Sequence, residues 1–425
     1  MGLPPIGPYS ISFFIPSPPD IFIIVSRYTF HWTSIAGECS MMISQRLQEI
    51  PPSGTIAISN LVSKMKAEGK DVLAFSLGEP DFATPDNIVD ACVDSLKGGF
   101  THYTPSMGIP ELRKVIAETT KAKNGIPCEA GNVLVTPTKQ ALFMISLAYL
   151  NPGDEVLLPD PSWVSYEAHI RMCGAIPKYV STSFDDGFVI DPDNVAKQVT
   201  SKTKMMVINS PSNPTGCVQP EATLKGIADI CKDNDIIVLS DEIYENIIYE
   251  GKHHSIAAMP DMFDRTITVS GLSKTYAMTG WRLGWMIAPE ADIKAVNKLQ
   301  SHSITCCASF TQPAAIEAIK GPQDDMKAMV ATFKKRRDLA LDLMAEIPGL
   351  ECNVPGGAFY LFPKYSAKIP SNELAEKLLT EGLVGVTPGR AFGPCGEGFF
   401  RFSYAASEED ITEGLSRIKK VFATL

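Results

Sequence analysis

The sequence is short of positive charge. Its 38 Lys and Arg residues face 48 Asp and Glu residues, a formal net charge of −10 at pH 7. An acidic surface of this kind repels a phosphate backbone, so nucleic acid is not an expected partner. Paired cysteines are also missing. The ten cysteines stand at positions 39, 92, 128, 173, 217, 231, 306, 307, 352 and 395, with no Cys-x-x-Cys and no zinc-ligand spacing. They read as reduced, mostly buried thiols, which points to the cytoplasm and to no metal site.

A long apolar run is absent from residues 1–40, which are rich in Pro and aromatic residues and reach their first basic residue only at Arg27. Their longest wholly aliphatic or aromatic run, Ile21 to Val25, is too short to cross a bilayer, and no charged n-region precedes it. No membrane partner is expected, and the segment is read as an extension without assigned function. Met41 and Met42 open the first globular-looking stretch, which fits a start codon assigned too far upstream. Finding residues 1–40 in the intact mass of the natively expressed protein would sink that reading.

What remains is a globular composition, 45% hydrophobic and 20% charged, in a 425-residue chain that is long for one core. Two domains are expected. No fixed-period repeat follows residue 40; short apolar runs alternate with polar turns and helical segments, the pattern of an α/β fold with a mainly parallel sheet sandwiched by helices. Seven strands are expected at Val133 to Val135, Glu155 to Leu158, Pro177 to Val180, Met205 to Asn209, Ile236 to Ser240, Thr266 to Ser270 and Leu283 to Ile287. Among the helices, Thr84 is expected as an N-cap with Pro85 in the first turn, and Pro110 opens Glu111 to Lys123.

After about residue 320 the order changes. A basic amphipathic helix around Lys327 to Ile347 leads through Gly356-Gly357 to strands near Ala358 to Phe362 and Phe399 to Ser403. The expected organisation is an extension at 1–40, a segment at 41–80 joining a smaller α+β domain, a large domain at 81–320 and the small domain at 321–425.

Three polar residues follow three of the strands: Asn213, Asp241 and Lys274. Ligands of open α/β sheets sit beyond the carboxyl ends of the strands, so an amide, a carboxylate and an amine distant in sequence can converge on one crevice. That set suits a pyridine aldehyde: Lys for the imine, Asp for the ring nitrogen, and Asn or Tyr for the phenolic oxygen. Taken singly, each has a plainer reading. Lys274 would be a solvated lysine, Asp241 a helix N-cap and Asn213 a turn residue before Pro214.

The run from Gly271 through Lys274 to Gly284, with Arg282 eight residues after the lysine, resembles the Schiff-base signature of class I aminotransferases. The resemblance extends through Asn209 to Gly216, Ser240 to Tyr244, Gly78 to Asp81 and Arg401 to Ser403, covering nearly everything from residue 43 onward in the family's order. It implies the fold type I architecture of pyridoxal phosphate (PLP) enzymes and an aminotransferase working through PLP and pyridoxamine phosphate in two half-reactions. Aspartate is the favoured amino acid and 2-oxoglutarate the favoured acceptor. Alanine and aromatic amino acids, or a PLP-dependent β-lyase, are the alternatives.

By this resemblance Lys274 carries the Schiff base and shuttles the Cα proton, and Asp241 holds the pyridine nitrogen protonated. Tyr244 and Asn213 reach the phenolic oxygen, Trp163 stacks on the ring, and Arg282 grips the phosphate. The backbone N–H groups of Thr138 and Lys139, at an expected helix N-terminus, add to the phosphate site. Pro137, where many relatives carry Gly, has no N–H to give. Arg401 takes the substrate α-carboxylate, a bidentate task, and Gly78 lets the substrate approach the backbone. Tyr103 resembles the tyrosine that reaches the phosphate of a neighbouring subunit, which implies a homodimer.

Some relatives that accept prephenate carry Lys where Pro51 stands here, which counts against that substrate. A PLP-sensing regulator would need a fused DNA-binding helical domain, for which residues 1–40 are too short and too Pro-rich. A nucleotide-binding α/β protein would show a Gly-x-Gly-x-x-Gly after its first strand, and none follows.

Overall fold

The computed structural model describes residues 44–48, 50 and 54–425. The extension at 1–40, Met41, Met42 and Pro51 lie outside the described residues. Strand β1 (Leu73–Ala74) precedes a seven-stranded sheet built from β2 (Val133–Val135), β3 (Glu155–Asp160), β4 (Ile176–Ser181), β5 (Thr203–Asn209), β6 (Ile237–Asp241), β7 (Thr266–Gly271) and β8 (Gly284–Ile287). Its order is β2-β8-β7-β6-β5-β3-β4, parallel throughout except that β8 runs antiparallel to both neighbours. All seven expected strands fall in this one sheet.

The strands read as apolar runs because both faces are covered. Successive side chains point to opposite faces. Met205 and Val207 of β5 join Leu239, Val156 and Leu158 under the helices Thr138–Tyr149 and Val164–Met172. Met206 and Ile208 join Val238, Leu157 and Val180 under Glu221–Asp233 on the other face. The chain passes from β3 outward to β4 and then returns to the far side of β3 as β5. The crevice beyond the carboxyl ends of β3 and β5 is therefore the switch point at which such sheets bind ligands.

The remaining strands are β9 (Leu350–Glu351), β10 (Tyr360–Leu361), β11 (Lys364–Tyr365), β12 (Val384–Gly385), β13 (Thr387–Pro388) and β14 (Phe400–Ser403). They form an antiparallel sheet of order β10-β14-β13, an antiparallel β9–β11 pair, and a parallel pair of β12 with β1. A second core around Phe75, Phe333, Phe359 and Phe402 packs against them, with Phe75 stacked on Phe402 at 4.2 Å.

One expected helix start is corrected. The helix begins at Asp86, with Pro85 rather than Thr84 in the capping position. The Thr84 hydroxyl instead donates to Ala277 O at 2.8 Å and accepts from Trp281 Nε1 at 3.0 Å, so it pins the loop that follows Lys274. Cys217, Cys231 and Cys307 are buried, and loss of solvent pushes each thiol up to about 12, which leaves them protonated. Among the described residues no helix is long and apolar enough to cross a membrane.

Candidate active site

Beyond the carboxyl ends of β3, β5, β6 and β7 lies a cavity of about 350 Å³, lined among others by Gly78, Thr138, Lys139, Trp163, Asn213, Asp241, Tyr244, Lys274, Arg282 and Arg401. Ten of the eleven residues singled out in the sequence thus meet in one place. The eleventh, Tyr103, is 88% exposed and does not line it.

Lys274 follows β7 on a loop whose backbone is left-handed at Ala277 (φ 52°) and again at Arg282 (φ 56°), conformations that non-glycine residues adopt at a cost. Its Nζ donates to Gly78 O at 2.5 Å. Burial pulls its pKa down to about 8; Glu79 opposes this, and the cations Arg401, Arg282 and Lys139 reinforce it. A sizeable fraction of the amine is therefore neutral near physiological pH.

Asp241 ends β6 and is 3% exposed. Oδ1 accepts from Ile243 N at 3.2 Å, a local turn and not a helix cap, and Oδ2 accepts from the Tyr166 hydroxyl at 2.7 Å. Burial pushes the carboxyl up to about 6, while Tyr166 and the Ile243 N–H hold it down. A carboxylate so desolvated calls for a cationic partner.

Arg401, on the central strand of the smaller sheet, is 2% exposed. It donates to Asn213 Oδ1 at 2.8 Å and to Ser76 O at 2.6 Å, its Nε has no partner among the described residues, and its guanidinium lies 4.6 Å from the Tyr360 ring centroid. Because Asn213 spends its carbonyl on Arg401, its amide nitrogen is the end left to donate into the cavity. Tyr244 shares a 2.8 Å hydrogen bond with the Tyr360 hydroxyl.

Gly78, which lines the cavity, is also constrained by a neighbouring side chain. A Cβ there would lie 2.5 Å from the Tyr360 hydroxyl, so its bareness first of all makes room for that tyrosine. Lys139 holds its ammonium 4.7 Å from the Trp163 ring centroid. The helix Thr138–Tyr149 directs its first N–H groups toward the cavity mouth. Arg282 is exposed and spends one N–H on Thr279 O at 2.9 Å.

Tyr166, Tyr360 and Ser76 are among the cavity-lining residues that sequence reasoning missed. Tyr166 lies three residues after Trp163 and Tyr360 falls in an expected strand, where an aromatic residue reads as core.

An amine of lowered pKa opposite a buried carboxylate fits an aromatic aldehyde with a ring nitrogen. An arginine and a helix N-terminus at the rim fit a phosphate on the same molecule. This donor set, on a mainly parallel sheet with a switch-point crevice, defines a PLP-dependent enzyme. The chain belongs to the aminotransferase class I and II family, whose profile matches residues 70–418.

The probable aspartate/prephenate aminotransferase of Aquifex aeolicus is 43% identical over 387 residues, covering 89% of this chain and 98% of that protein. The structure of Thermus thermophilus aspartate aminotransferase with maleate superposes with a TM-score of 0.85 at 39% identity, covering 90% of this chain and 100% of that one. The alanine aminotransferase from Pyrococcus furiosus gives a TM-score of 0.86 at 33% identity, with the same coverage. The protein is therefore a PLP-dependent transaminase.

Proposed function

We propose that the enzyme moves the amino group of L-aspartate to 2-oxoglutarate. The observation that carries the dicarboxylate reading is a surplus of positive charge. Arg282, Lys139 and Arg401 line the cavity together with Lys274, and among the described residues Asp241 is the one carboxylate that lines it, with Glu79 nearby. Cofactor phosphate takes Arg282 and the helix N-terminus, the substrate α-carboxylate takes Arg401, and Lys139 is left for a second carboxylate. Maleate in the Thermus thermophilus structure, a four-carbon dicarboxylate, and the aspartate in the Aquifex aeolicus name agree with this assignment.

The cofactor supplies an aldehyde that accepts the amino group and a ring that accepts the electrons left at Cα, alternating between pyridoxal and pyridoxamine forms. The chain does the rest. Lys274 would hold the aldehyde carbon through its neutral amine, with release of water, would yield that place to the substrate amine, and would accept the Cα proton on Nζ. Asp241 keeps a proton on the ring nitrogen, with Tyr166 holding the carboxylate in place. The Asn213 amide and the Tyr244 hydroxyl would donate toward the phenolic oxygen, and the Trp163 face would cover the ring. Residues 81–320 act as the cofactor-binding domain and 321–425, with 41–80, as the smaller one. A homodimer, in which Tyr103 completes the phosphate site of the neighbouring subunit, gives that exposed side chain its use.

Single amino acids added to the purified yellow protein test the reaction: aspartate and glutamate should bleach the band. Pyruvate and ammonia released without an acceptor would instead mark a β-lyase. Lys139→Met tests the substrate. Removal of one charged hydrogen bond should cost aspartate about 10- to 100-fold in kcat/KM and leave alanine within about threefold. An equal loss for both would remove the dicarboxylate assignment.

A further inference from the structure

Glu242 and Thr275 are the immediate successors of Asp241 and Lys274, and each is 1% exposed. Both are anchored in one polar network behind the cavity that none of the roles above uses. Glu242 accepts from Ser240 at 2.9 Å, from Ser255 at 2.7 Å and, at 2.9 Å, pairs with His253 Nε2. Glu245 accepts from Ser270 of β7 at 2.9 Å and from Asn124 at 2.6 Å, and it pairs with Lys123 at 3.3 Å. Lys123 also donates to Asn246 Oδ1, which orients that amide so that its Nδ2 donates to Thr275 Oγ1 at 3.1 Å.

Glu242, Glu245 and His253 bring ligand-type atoms within 4.8 Å of one another. Their charges are nonetheless already answered. Glu242 and Glu245 hold His253 above its usual pKa against the effect of burial, and Lys123 neutralises the other carboxylate. The cluster is an internal ion network and not a vacant cation site. It joins the end of β6, the end of β7 and the last turn of the helix Pro110–Asn124, the elements that fix where Asp241 and Lys274 stand relative to each other.

We propose that Asn246 is a positioning residue for the transamination. Held by Lys123 on one side and bonded to Thr275 on the other, it fixes the loop that aims the Lys274 amine. The hydrogen bond acts on the proton-transfer step, where a misplacement of about 1 Å costs on the order of 100-fold, and not on carboxylate capture by Arg401. It rests on the reading of Lys274 given above.

Thr275→Val keeps the side-chain shape and removes the acceptor. It should lower kcat about 10-fold or more while KM for the amino acid stays within about twofold. A second readout is the rate at which ligand-free protein recombines with PLP. That rate needs a neutral amine, so it should rise with pH through the Lys274 midpoint of about 8. In Thr275→Val the midpoint should move upward as the freed lysine reaches water, and Thr275→Ser should restore both quantities.

Should Thr275→Val not fold, Lys123→Met removes the anchor from the protein surface and should shift both readouts in the same direction. A lowered melting temperature with unchanged kcat and midpoint would overturn the inference and leave the network a merely structural one. The two readings separate cleanly. Full activity in Lys274→Ala removes the reading of Lys274 itself, whereas an inactive Lys274→Ala beside a fully active Thr275→Val overturns only the role of Asn246.

Discussion

Lys274→Ala is expected to lower kcat/KM by about 10⁴-fold or more, since the change removes both the nucleophile and the proton carrier. No neighbour can substitute. The Lys139 ammonium sits over Trp163, and the Arg282 guanidinium spends an N–H on Thr279 O. The same change should have an opposite effect on stability. Burial lowers the Lys274 pKa from 10.5 to about 8, so the unfolded chain binds more protons between those values, and the folded state carries the penalty in full below about pH 8. Such a shift corresponds to about 3 kcal/mol, less about 1 kcal/mol for the bond to Gly78 O.

Ligand-free Lys274→Met, which fills the same space, should therefore melt higher than the parent at pH 7, with the advantage fading between pH 8 and 10.5. The site is poised for reaction at the expense of folding stability, as strained functional sites commonly are. Retention of a tenth or more of the activity in Lys274→Ala, or a lower ligand-free melting temperature for Lys274→Met at pH 7, would count against this account.

The second large effect concerns Asp241 and cofactor retention. In the ligand-free protein its carboxyl titrates at about 6, raised by burial. A cationic ring nitrogen binds the ionised form, so this carboxyl should add a fall of about tenfold in cofactor affinity for each pH unit below about 6, separate from the Lys274 titration near 8. Asp241→Asn should bind more weakly throughout, by roughly the 3–5 kcal/mol lost when one partner of a buried ion pair is removed, and should show no break at pH 6.

Tyr166→Phe removes the donor that holds the carboxyl down, so the break should move to higher pH. Equilibrium dialysis of the cofactor against pH reads all three proteins. An identical pH dependence in the parent and in Asp241→Asn would show that this carboxylate does not face the ring.

The sheet was legible because its strands are buried on both faces. Runs such as Met205 to Asn209 and Thr266 to Ser270 can be little else once polar turns bound them, and all seven expected strands lie in one sheet. The convergence of Asn213, Asp241 and Lys274 on one cavity was legible from their places after strand ends, whereas their roles rest on the family resemblance, since each taken singly has a plainer reading. Side chains whose bland reading is good packing stayed hidden. Tyr166 sits in a helix among apolar residues and Tyr360 is fully buried, so only their hydroxyl partners mark them as part of the site.

Thr84 was misread for a related reason. A threonine before a proline is a sound N-cap locally, but a partner at Ala277, 193 residues away, competes for its hydroxyl. Asn246 and Thr275 were invisible for the same cause, since a hydrogen bond across the fold leaves no periodicity in the chain.

Borohydride reduction of the yellow protein, followed by digestion and peptide mass mapping, tests the central claim most directly. The account predicts that the reduced cofactor's mass appears on the peptide containing Lys274 and on no other. Label on Lys139 or any other lysine, or no label at all, would contradict it.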